Sequence, residues 1–459
     1  MIDNLRLAWC VGPCLALACG DSGGRESASV SASGTTVVTT TPTASGPGTE
    51  SAGSSASSQG TGSASETGGM VSSTEPATGT ASTGGVKFDL GVVPDGGDKC
   101  QGSQLDFSYI WVANSSQGTV SKINTVTMVE EGRYLVRPDG AGNPSRTSVN
   151  LSGDVVIANR FGGITKVYAR PESCPDTNGV PGIQTSAGKD DILAWGADEC
   201  VAWYTAMPYD AQRPMAWTSG VFNKDMCRYE EQKVWTTGGN TGVPGSVVAL
   251  RLNGNDGAIE QTIPIPEMGT PGAGPYGGAV DGDNNFWFHS RDINPFLLAR
   301  LDAVTLTYKV YPVPAPVAPY GITVDTKNRV WLAGYTGGTA RFDPVTETWQ
   351  TNLQVTGLGL QEDAKGRMWI AHYPWDVRGI HGLDVETMTE LKFINMTAVA
   401  TESRGISVDF KGFVWMVDQT ASAFRVDADA ETWDIYTGLT GPYTYSDMTG
   451  WGLSNISPG

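Results

Sequence analysis

One phrase of 15 residues recurs in this chain, and its repetition limits the fold more than any other feature. The clearest copy, PYGITVDTKNRVWLA, begins at Pro319. The other copies are PYGGAVDGDNNFWFH from Pro275, GLGLQEDAKGRMWIA from Gly357, SRGISVDFKGFVWMV from Ser403 and the weaker SRTSVNLSGDVVIAN from Ser145. Because self-similarity along a chain is the signature of a repeat architecture, the phrase predicts the structural unit of the fold.

The unit reads as four short strands. From Gly321 the chain runs through GITVD, RVWLA, TARFD and TWQTNL, and turn residues separate the four segments. Apolar residues alternate along them, and no helical periodicity competes. Four antiparallel strands in one repeat make one blade of a β-propeller.

An apolar marker on the second strand of each unit counts the blades. It falls at Trp111, Val156, Trp235, Trp287, Trp331, Trp369 and Trp415. Seven markers predict an all-β, seven-bladed β-propeller over residues 107–456. The long step between the second and third markers predicts an insertion at about 170–232.

The first blade lacks an inner strand ahead of Tyr109, whereas the tail SDMTGWGLSNI from Ser446 remains after the seventh blade. We expect this tail to supply the innermost strand of blade 1. Such a closure by a C-terminal strand removes sheet edges that would otherwise pair with other chains.

Aspartates recur at fixed places in the units. Asp281, Asp325, Asp363 and Asp409 open the first hairpin of their blades, and Asp302, Asp343, Asp384 and Asp427 open another. Because the Asp side chain accepts hydrogen bonds from nearby backbone amides, we interpret these residues as structural turn residues.

The N-terminal region predicts export. Residues 1–18 are short and apolar and read as a secretory signal peptide. The run LALAC places Cys19 where it resembles the lipidated cysteine of a bacterial lipoprotein; an ordinary signal peptide cut nearby is the alternative. The Ser-, Thr- and Gly-rich residues 19–86 predict a disordered tether, and residues 87–106 a lead-in segment.

These features predict an exported, lipid-anchored protein at the bacterial outer membrane or cell surface, with the membrane as one partner. Lys and Arg number 30 and Asp and Glu 48, giving a formal charge of −18. Because no basic stripe appears, we expect no nucleic-acid partner. We expect a monomer whose ligand is a small molecule, a glycan or another protein.

The phrase PYGITVD, followed by VWLA and TARFDPVT, resembles the streptogramin B lyase (virginiamycin B lyase) family of seven-bladed propellers. The resemblance implies an elimination reaction that uses histidines at the starts of inner strands and a glutamate that helps hold Mg²⁺. The positions aligned with the histidines hold Tyr276, Tyr320, Leu358 and Arg404. Those aligned with the glutamate hold Asn114, Asn159, Gly238, Ser290, Gly334, His372 and Asp418. The catalytic set of the family is therefore not preserved at its expected places.

Propeller geometry still predicts a ligand site, because inner strands begin and second strands end on the same face of the disc, around the channel. The residues expected there are Asn114, Asn159, Arg160, Tyr276, His289, Tyr320, His372, Trp375, Arg404 and Asp418. His372, Arg404 and Asp418 form the candidate catalytic group, with His372 as a possible base. The alternative is that all ten are solvated loop ends lining a water-filled channel.

Two classes of function follow. One is a tethered binding propeller, and the other is a lyase or hydrolase with a rearranged active site. Convergence of His372, Arg404 and Asp418 within hydrogen-bonding distance would favour the enzyme, whereas their separation around the channel would favour binding.

Four cysteines beyond Cys19 allow three disulfide pairings in an exported protein. We favour Cys200–Cys227, which leaves Cys100–Cys174. The reason is that Cys200 and Cys227 both belong on the face opposite the ligand loops.

The insertion also contains DTNGVPGIQTSAGKDD from Asp176, which resembles a calcium loop. Asp176 and Asn178 have the spacing of calcium ligands, although Val180 stands where a further oxygen ligand is usual. A plain loop is the alternative. Calcium is the one cofactor that the sequence suggests.

Overall fold

The computed structural model describes residues 108–223, 225, 228–269 and 273–457. The parts of the sequence predictions that lie outside the described residues are the signal 1–18, Cys19, the tether 19–86, the lead-in 87–106, Cys100 and Cys227.

Within the described residues, 29 strands form seven sheets around one axis and one small hairpin, and each sheet has three or four strands. Blade 1 contains β1 (Tyr109–Asn114), β2 (Thr119–Asn124) and β3 (Glu130–Leu135). Blade 2 contains β4 (Pro144–Val149), β5 (Val155–Asn159), β6 (Ile164–Val167) and β7 (Val201–Thr205). Blade 3 contains β8 (Met215–Trp217), the hairpin β9 (Val221–Asn223) and β10 (Arg228–Glu230), then β11 (Lys233–Gly238), β12 (Val248–Asn253) and β13 (Ile259–Pro264).

The remaining blades have four consecutive strands each. Blade 4 contains β14 (Pro275–Val280), β15 (Phe286–Ser290), β16 (Leu297–Leu301) and β17 (Tyr308–Pro312). Blade 5 contains β18 (Ala318–Val324), β19 (Val330–Thr336), β20 (Thr339–Asp343) and β21 (Thr348–Asn352). Blade 6 contains β22 (Gly357–Glu362), β23 (Arg367–His372), β24 (Gly379–Asp384) and β25 (Glu390–Asn395). Blade 7 contains β26 (Ser403–Val408), β27 (Val414–Asp418), β28 (Ser422–Asp427) and β29 (Thr432–Tyr436).

The predicted all-β, seven-bladed propeller is confirmed. Strands within a blade are antiparallel, and inner strands of neighbouring blades pack side by side around the axis. All seven marker residues lie on the second strand of their blade, counted from the axis, and are completely buried. Ile110 of blade 1 and Trp415 of blade 7 share one hydrophobic cluster, which closes the ring.

The C-terminal tail completes blade 1, although less regularly than predicted. The Tyr443 amide donates to Ala113 O at 3.0 Å, and the Trp111 amide donates to Met448 O at 2.9 Å. The tail thus lies beside β1 as an irregular segment, and its pairing begins before Ser446, where the sequence placed the closing strand.

The end of the tail was predicted wrongly as strand, because Trp451–Ile456 form helix α1. Leu453 and Ile456 are three residues apart and therefore share one helical face. That face packs against the cores of blades 3 and 4, and Trp451 packs against blade 7. Among the described residues no helix is long and apolar enough to cross a membrane.

The predicted disulfide pairing of the insertion was also wrong. Most of the extra chain leaves blade 2 after β6 and returns at β7, so it is inserted between the third and fourth strands of one blade. This path brings Cys174 to Cys200, and the two form a disulfide with a Cα–Cα distance of 4.8 Å. Because Cys200 is already bonded, it cannot pair with Cys227.

The aspartates that we interpreted as turn residues also hold the buried tryptophans. Asp409 accepts backbone hydrogen bonds from Lys411 and Phe413 with Oδ1, and it accepts the Trp415 indole N–H at 2.8 Å with Oδ2. The same Asp-to-Trp bond, six residues along the chain, joins Asp281 to Trp287, Asp325 to Trp331 and Asp363 to Trp369. One carboxylate therefore fixes a turn and a core side chain together.

The glycine of the Pro-Tyr-Gly phrase is needed where inner strands approach each other. A Cβ on Gly321 would lie 2.0 Å from Leu358 O of the next blade, and one on Gly405 would lie 2.2 Å from Thr444 O of the tail. No side chain fits in this space, so the phrase allows the inner strands to meet at the axis.

Candidate functional site: an arginine–tyrosine cluster at the channel mouth

Inner strands begin with a β-bulge that turns one side chain out of the sheet pairing. In β14, β18 and β26 the register skips Tyr276, Tyr320 and Arg404, respectively. It also skips Leu358 in β22 and Ser145 in β4. A bulge re-aims the skipped side chain, and these are the positions where the resemblance placed the family histidines of blades 4 to 7.

The skipped residues of different blades meet at the axis. Tyr276, Tyr320 and Leu358 form one buried cluster with Tyr445 of the tail, and Tyr443 packs against it while partly exposed. Residues from three blades and the tail can contact each other only at the channel. We call this group, together with the arginines that lie on it, the Arg–Tyr cluster: Arg146, Arg160, Arg404, Tyr276, Tyr320, Tyr443 and Tyr445.

Tyr443 is the centre of the hydroxyl network. Its oxygen lies 2.8 Å from the Tyr276 hydroxyl and 2.5 Å from the Tyr320 hydroxyl. The Tyr320 oxygen also accepts a hydrogen bond from Arg404 Nη1. Three tyrosines of two blades and the tail are thus joined to one arginine of a further blade.

Arginine side chains lie over the tyrosine rings. The guanidinium carbon of Arg160 is 4.0 Å from the centre of the Tyr443 ring, and that of Arg404 is 4.5 Å from the same centre. Arg146, which is completely buried, lies 4.9 Å from the centre of the Tyr276 ring. Arrangements of this kind are attractive because the ring face is electron-rich.

The two cations over Tyr443 change its ionisation. Burial raises the pKa of the Tyr443 phenol, but the positive charges of Arg404 and Arg160 lower it, and the result is a pKa of about 7. Burial instead raises the pKa of Tyr320 and of Tyr445 well above the usual value. Tyr443 is therefore the member of the cluster that can exist as a phenolate near neutral pH.

The tail and helix α1 cross the opposite end of the channel. The Trp451 indole donates to Glu362 O at the end of β22, and Thr449 Oγ1 donates to Val408 O at the end of β26. Asp447 lines a cavity together with Leu453 and Ile456 of α1, and burial raises its pKa to about 6. The cluster thus lies at the end of the channel that α1 does not cover.

Two of the predicted ligand residues are occupied in structural roles. Asn114 Nδ2 donates to Ser121 Oγ at 2.7 Å, and its Oδ1 accepts the Thr440 amide at 2.9 Å. Asn159 Nδ2 donates to Val136 O at 2.9 Å. Both side chains are completely buried and fix loops around the channel mouth.

His289 is buried beneath the cluster. Its Nδ1 lies 2.8 Å from Ser290 O and its Nε2 lies 3.1 Å from Tyr320 O. Burial lowers the pKa of His289 to about 4, so the ring is neutral at pH 7. It supports the backbone at Tyr320 and is not exposed to a ligand.

The three residues of the candidate catalytic group do not come together. His372 Nδ1 contacts His381 Nε2 at 2.8 Å, and His381 Nδ1 contacts Glu390 at 2.6 Å, which makes a chain of polar contacts across blade 6. Asp418 Oδ2 accepts the amide of Glu402 at 3.0 Å. Arg404 belongs to the Arg–Tyr cluster, and no hydrogen bond joins these three predicted residues, all of which are described.

The other predicted residues do lie at the cluster. Trp375 donates its indole N–H to Ser403 O at 2.9 Å, and its ring lies 4.9 Å from the Arg404 guanidinium carbon. Arg160, Tyr276, Tyr320 and Arg404 meet as described above. Of the ten predicted channel residues, these five are brought together.

Sequence reasoning missed Tyr443, Tyr445 and Arg146. A signal for Tyr443 was present, because Pro442 and Tyr443 repeat the Pro-Tyr pair that begins the inner strands of blades 4 and 5. The bridge between Pro442 and Asn114 is equivalent to the pairing of Pro275 with Ser290 and of Pro319 with Gly334 in those blades.

The predicted calcium loop is organised by a protein carboxylate. Glu199 accepts the amides of Thr177 at 2.7 Å, Asn178 at 3.0 Å and Gln184 at 2.8 Å, and these bonds lower its pKa. Within the described residues no group of three or more His, Cys, Asp or Glu side chains is arranged to hold a metal ion. Calcium binding at Asp176 stays a prediction.

Comparison with known proteins gives similarities of fold. No family model matches the chain, and no curated protein matches it. Among solved structures it is similar to a functionally unknown protein from Desulfotomaculum acetoxidans, with 9% identity, a TM-score of 0.50 and coverage of 73% of this chain and 96% of that one.

Two solved lyase structures are also similar. A streptogramin B lyase has 16% identity and a TM-score of 0.47, covering 68% of this chain and 87% of that one. A virginiamycin B lyase from Staphylococcus aureus has 15% identity and a TM-score of 0.41, covering 64% and 84%. The activity of this chain has to be inferred from its own residues.

Proposed function

We propose that this protein is a binding propeller that takes a small molecule, or the end of a glycan, at the Arg–Tyr cluster. One observation carries the proposal. The bulged side chains of Tyr276, Tyr320 and Arg404 leave their sheets to meet Tyr443 at the channel end that α1 does not cover. Ligand sites are concave, largely aromatic and provided with a few polar groups.

A lyase or hydrolase is the second candidate, and one observation favours it. Tyr443 has a pKa of about 7, because the charges of Arg404 and Arg160 oppose the effect of burial. A general base works best with a pKa near the operating pH. Tyr443, rather than His372, is therefore the residue that would act as base, and conversion of a bound compound that stops in Tyr443→Phe would support this candidate.

The place of the propeller in the cell is part of the same proposal. A lipid on Cys19 and a tether of residues 19–86 would present the channel mouth at the bacterial outer membrane or cell surface. Each buried CH₂ of a lipid adds about 0.8 kcal/mol, so several acyl chains hold a protein firmly. Cys19→Ser should move the protein from the membrane fraction to the soluble fraction, and unchanged fractionation would contradict the anchor.

A thermal-shift screen tests the binding function. A ligand that binds only the folded state raises its stability in proportion to the logarithm of ligand concentration. Compounds from a metabolite and glycan library should raise the Tm of the wild type and of the control Tyr308→Phe, which alters blade 4 far from the mouth. They should not raise the Tm of Tyr443→Ala. Equal shifts in Tyr443→Ala would place binding elsewhere and contradict the proposal.

A further inference from the structure

We propose that the ligand of the Arg–Tyr cluster is an anion, a carboxylate or a phosphate carried on a small organic group, held between Arg160 and Arg404 beside Tyr443. This inference rests on the proposed binding function and names its ligand class. It concerns the chemistry of the cluster alone and requires no catalytic step.

The charge balance of the cluster is the first argument. Arg146, Arg160 and Arg404 take part in none of the ion pairs formed by described residues. Burial lowers the pKa of Arg404, but its tyrosine neighbours, led by Tyr320 and Tyr443, raise it above the usual value. Buried cations without a carboxylate are costly, so an anion that enters the cluster gains a large compensating interaction.

The acidic residues near the mouth are already engaged. Asp418 caps its own loop through the amides of Thr401, at 2.5 Å, and Glu402, at 3.0 Å. Asp376 lies 3.6 Å from His372. Asp292 Oδ2 accepts the amide of Ala273, which belongs to the same buried cluster as Tyr276, at 2.5 Å. Among the described residues none of these three carboxylates forms an ion pair with Arg146, Arg160 or Arg404.

Hydrogen-bond donors without partners are the second argument. Nε of Arg404, Nε and Nη2 of Arg160, and Nε of Arg146 are buried, and within the described part of the chain they have no partner. Arg146 donates to Tyr276 O at 2.9 Å but keeps its Nε free. Buried donors are normally satisfied, and an unsatisfied one costs about 1–3 kcal/mol.

The stacking geometry is the third argument. The guanidinium carbons of Arg160 and Arg404 lie over the Tyr443 ring, 4.0 and 4.5 Å from its centre. Stacking uses the face of a guanidinium and leaves its in-plane N–H groups for hydrogen bonds. A planar fork of donors suits the oxygens of a carboxylate or a phosphate.

The aromatic surroundings select the rest of the ligand. Trp375 and Tyr335 are partly exposed beside the cluster, and Arg404 lies 4.9 Å from the centre of the Trp375 ring. These rings offer apolar and π faces to an organic group attached to the anion. We therefore expect a free inorganic anion to bind less tightly than the same anion on an aromatic or sugar ring.

The acidity of the whole chain does not oppose this site. The formal charge of −18 is spread over the full sequence, and charges farther away than about 8 Å are largely screened at physiological ionic strength. Contacts within the cluster are shorter than that distance, so the local cations determine which ligand binds.

Calorimetry with charged and neutral probes tests the proposal. Purified full-length chain is titrated with benzoate, phenyl phosphate and the neutral isostere benzamide. We expect benzoate or phenyl phosphate to bind and benzamide to bind at least about ten-fold more weakly, since a hydrogen bond to a charged group is worth about 1.5–3 kcal/mol. The stronger of the two anions distinguishes carboxylate from phosphate recognition.

Matched variants connect binding to the cluster. Arg160→Gln and Arg404→Gln should each lower the affinity for the anion about ten-fold, whereas Lys309→Gln, an exposed cation paired with Glu347, should leave it unchanged. Arg160 is partly exposed, so its variant is expected to fold even where Arg404→Gln does not.

The outcomes separate the two proposals. Equal binding of benzamide, no binding of either anion, or unchanged affinity in a folded Arg160→Gln would overturn the anion assignment. If neutral library compounds still bind the wild type but not Tyr443→Ala, the proposed binding function stands and only the assignment of an anion as ligand is lost.

Discussion

The phenol oxygens of Tyr276 and Tyr443 lie 2.8 Å apart, although 167 residues separate them in the chain. One belongs to the inner strand of blade 4 and the other to the tail that completes blade 1. The segment that closes the propeller therefore also supplies the central side chain of the channel mouth. Formation of the site depends on closure of the fold.

Removing residues 446–459 should abolish cooperative folding. Met448 and Leu453 of the tail are buried, and the tail covers the edge of β1. Loss of this segment exposes apolar surface and an unpaired strand edge, which favours aggregation. Urea unfolding and size-exclusion chromatography measure the effect.

A milder variant gives the matched control for the tail. Leu453→Ala should lower the free energy of unfolding by about 2–5 kcal/mol, because it leaves a cavity in a packed core. Val345→Ala removes a side chain that is 90% exposed and should change stability by less than about 0.5 kcal/mol. A truncated protein that stays monomeric with an unchanged Tm would contradict the closure.

The hydrogen bond between Asp409 and Trp415 should contribute measurably to the free energy of unfolding. Asp409→Ala leaves the Trp415 indole N–H and the amides of Lys411 and Phe413 without their acceptor. The indole N–H is the buried donor of the three, so the loss should be about 1–3 kcal/mol, with smaller losses from the two less buried amides. Asp409→Asn keeps a side-chain oxygen and should cost less, as chemical denaturation of both variants can show.

Blade 2 provides a natural comparison for this pair. Its marker is Val156, which has no indole, and Asn150 stands at the place of the aspartate. Asn150 Oδ1 still accepts the amides of Ser152 and Asp154, both at 2.9 Å. If Asp409→Ala were as stable as the wild type, the carboxylate would not matter to the core.

The blade count could be predicted because every blade carries an apolar marker on its second strand, and blades 4 to 7 also repeat the same short-range pattern. The buried tryptophans and the turn aspartates are six residues apart, and local geometry alone joins them. The partner of Cys200 depends instead on the path of a long insertion. No repeat describes that path, so the sequence left the pairing with Cys174 undetermined.

The site was only partly predictable for a similar reason. Tyr276, Tyr320 and Arg404 follow from the repeat, because each stands at the same bulge. Tyr443 lies in the irregular tail, whose similarity is limited to Pro442 and Tyr443 itself. The position of His372 followed from the pattern, but its contact with His381 comes from the neighbouring strand of the same blade.

Reducing the bond between Cys174 and Cys200 should destabilise the protein. The bond closes a loop with a sequence separation of 26 residues, and cross-links of that length restrict the unfolded chain by about 3–4 kcal/mol. Tm should fall in a reductant and in Cys200→Ser. Peptide mapping without reduction should find these two cysteines in one cross-linked product, and a Cys200–Cys227 product would contradict the pairing.

Anion binding should depend on pH through Tyr443. The charged and titratable groups around its phenol are Arg160, Arg291, Arg404, Tyr276, Tyr320 and Tyr445. Below its pKa of about 7 the phenol is neutral and both arginines are free to hold an anion; above it, the phenolate neutralises them. The affinity for benzoate should therefore fall as pH rises through about 7.

Tyr443→Phe is the control for this dependence. Phenylalanine keeps the ring that both guanidinium carbons lie over but cannot ionise, so the variant should bind the anion with an affinity that is nearly flat from pH 6 to pH 8 (a range of about one unit on either side of the pKa). A variant that retains the full pH dependence would show that another group titrates.

A crystal structure of the full-length chain soaked with phenyl phosphate tests the central claim most directly, because it shows where an anion is held. The account predicts electron density for the phosphate between the guanidinium groups of Arg160 and Arg404, with its oxygens within hydrogen-bonding distance of their N–H groups and the phenyl ring beside Trp375. Density at another part of the surface, with the channel mouth free of the ligand, would contradict it.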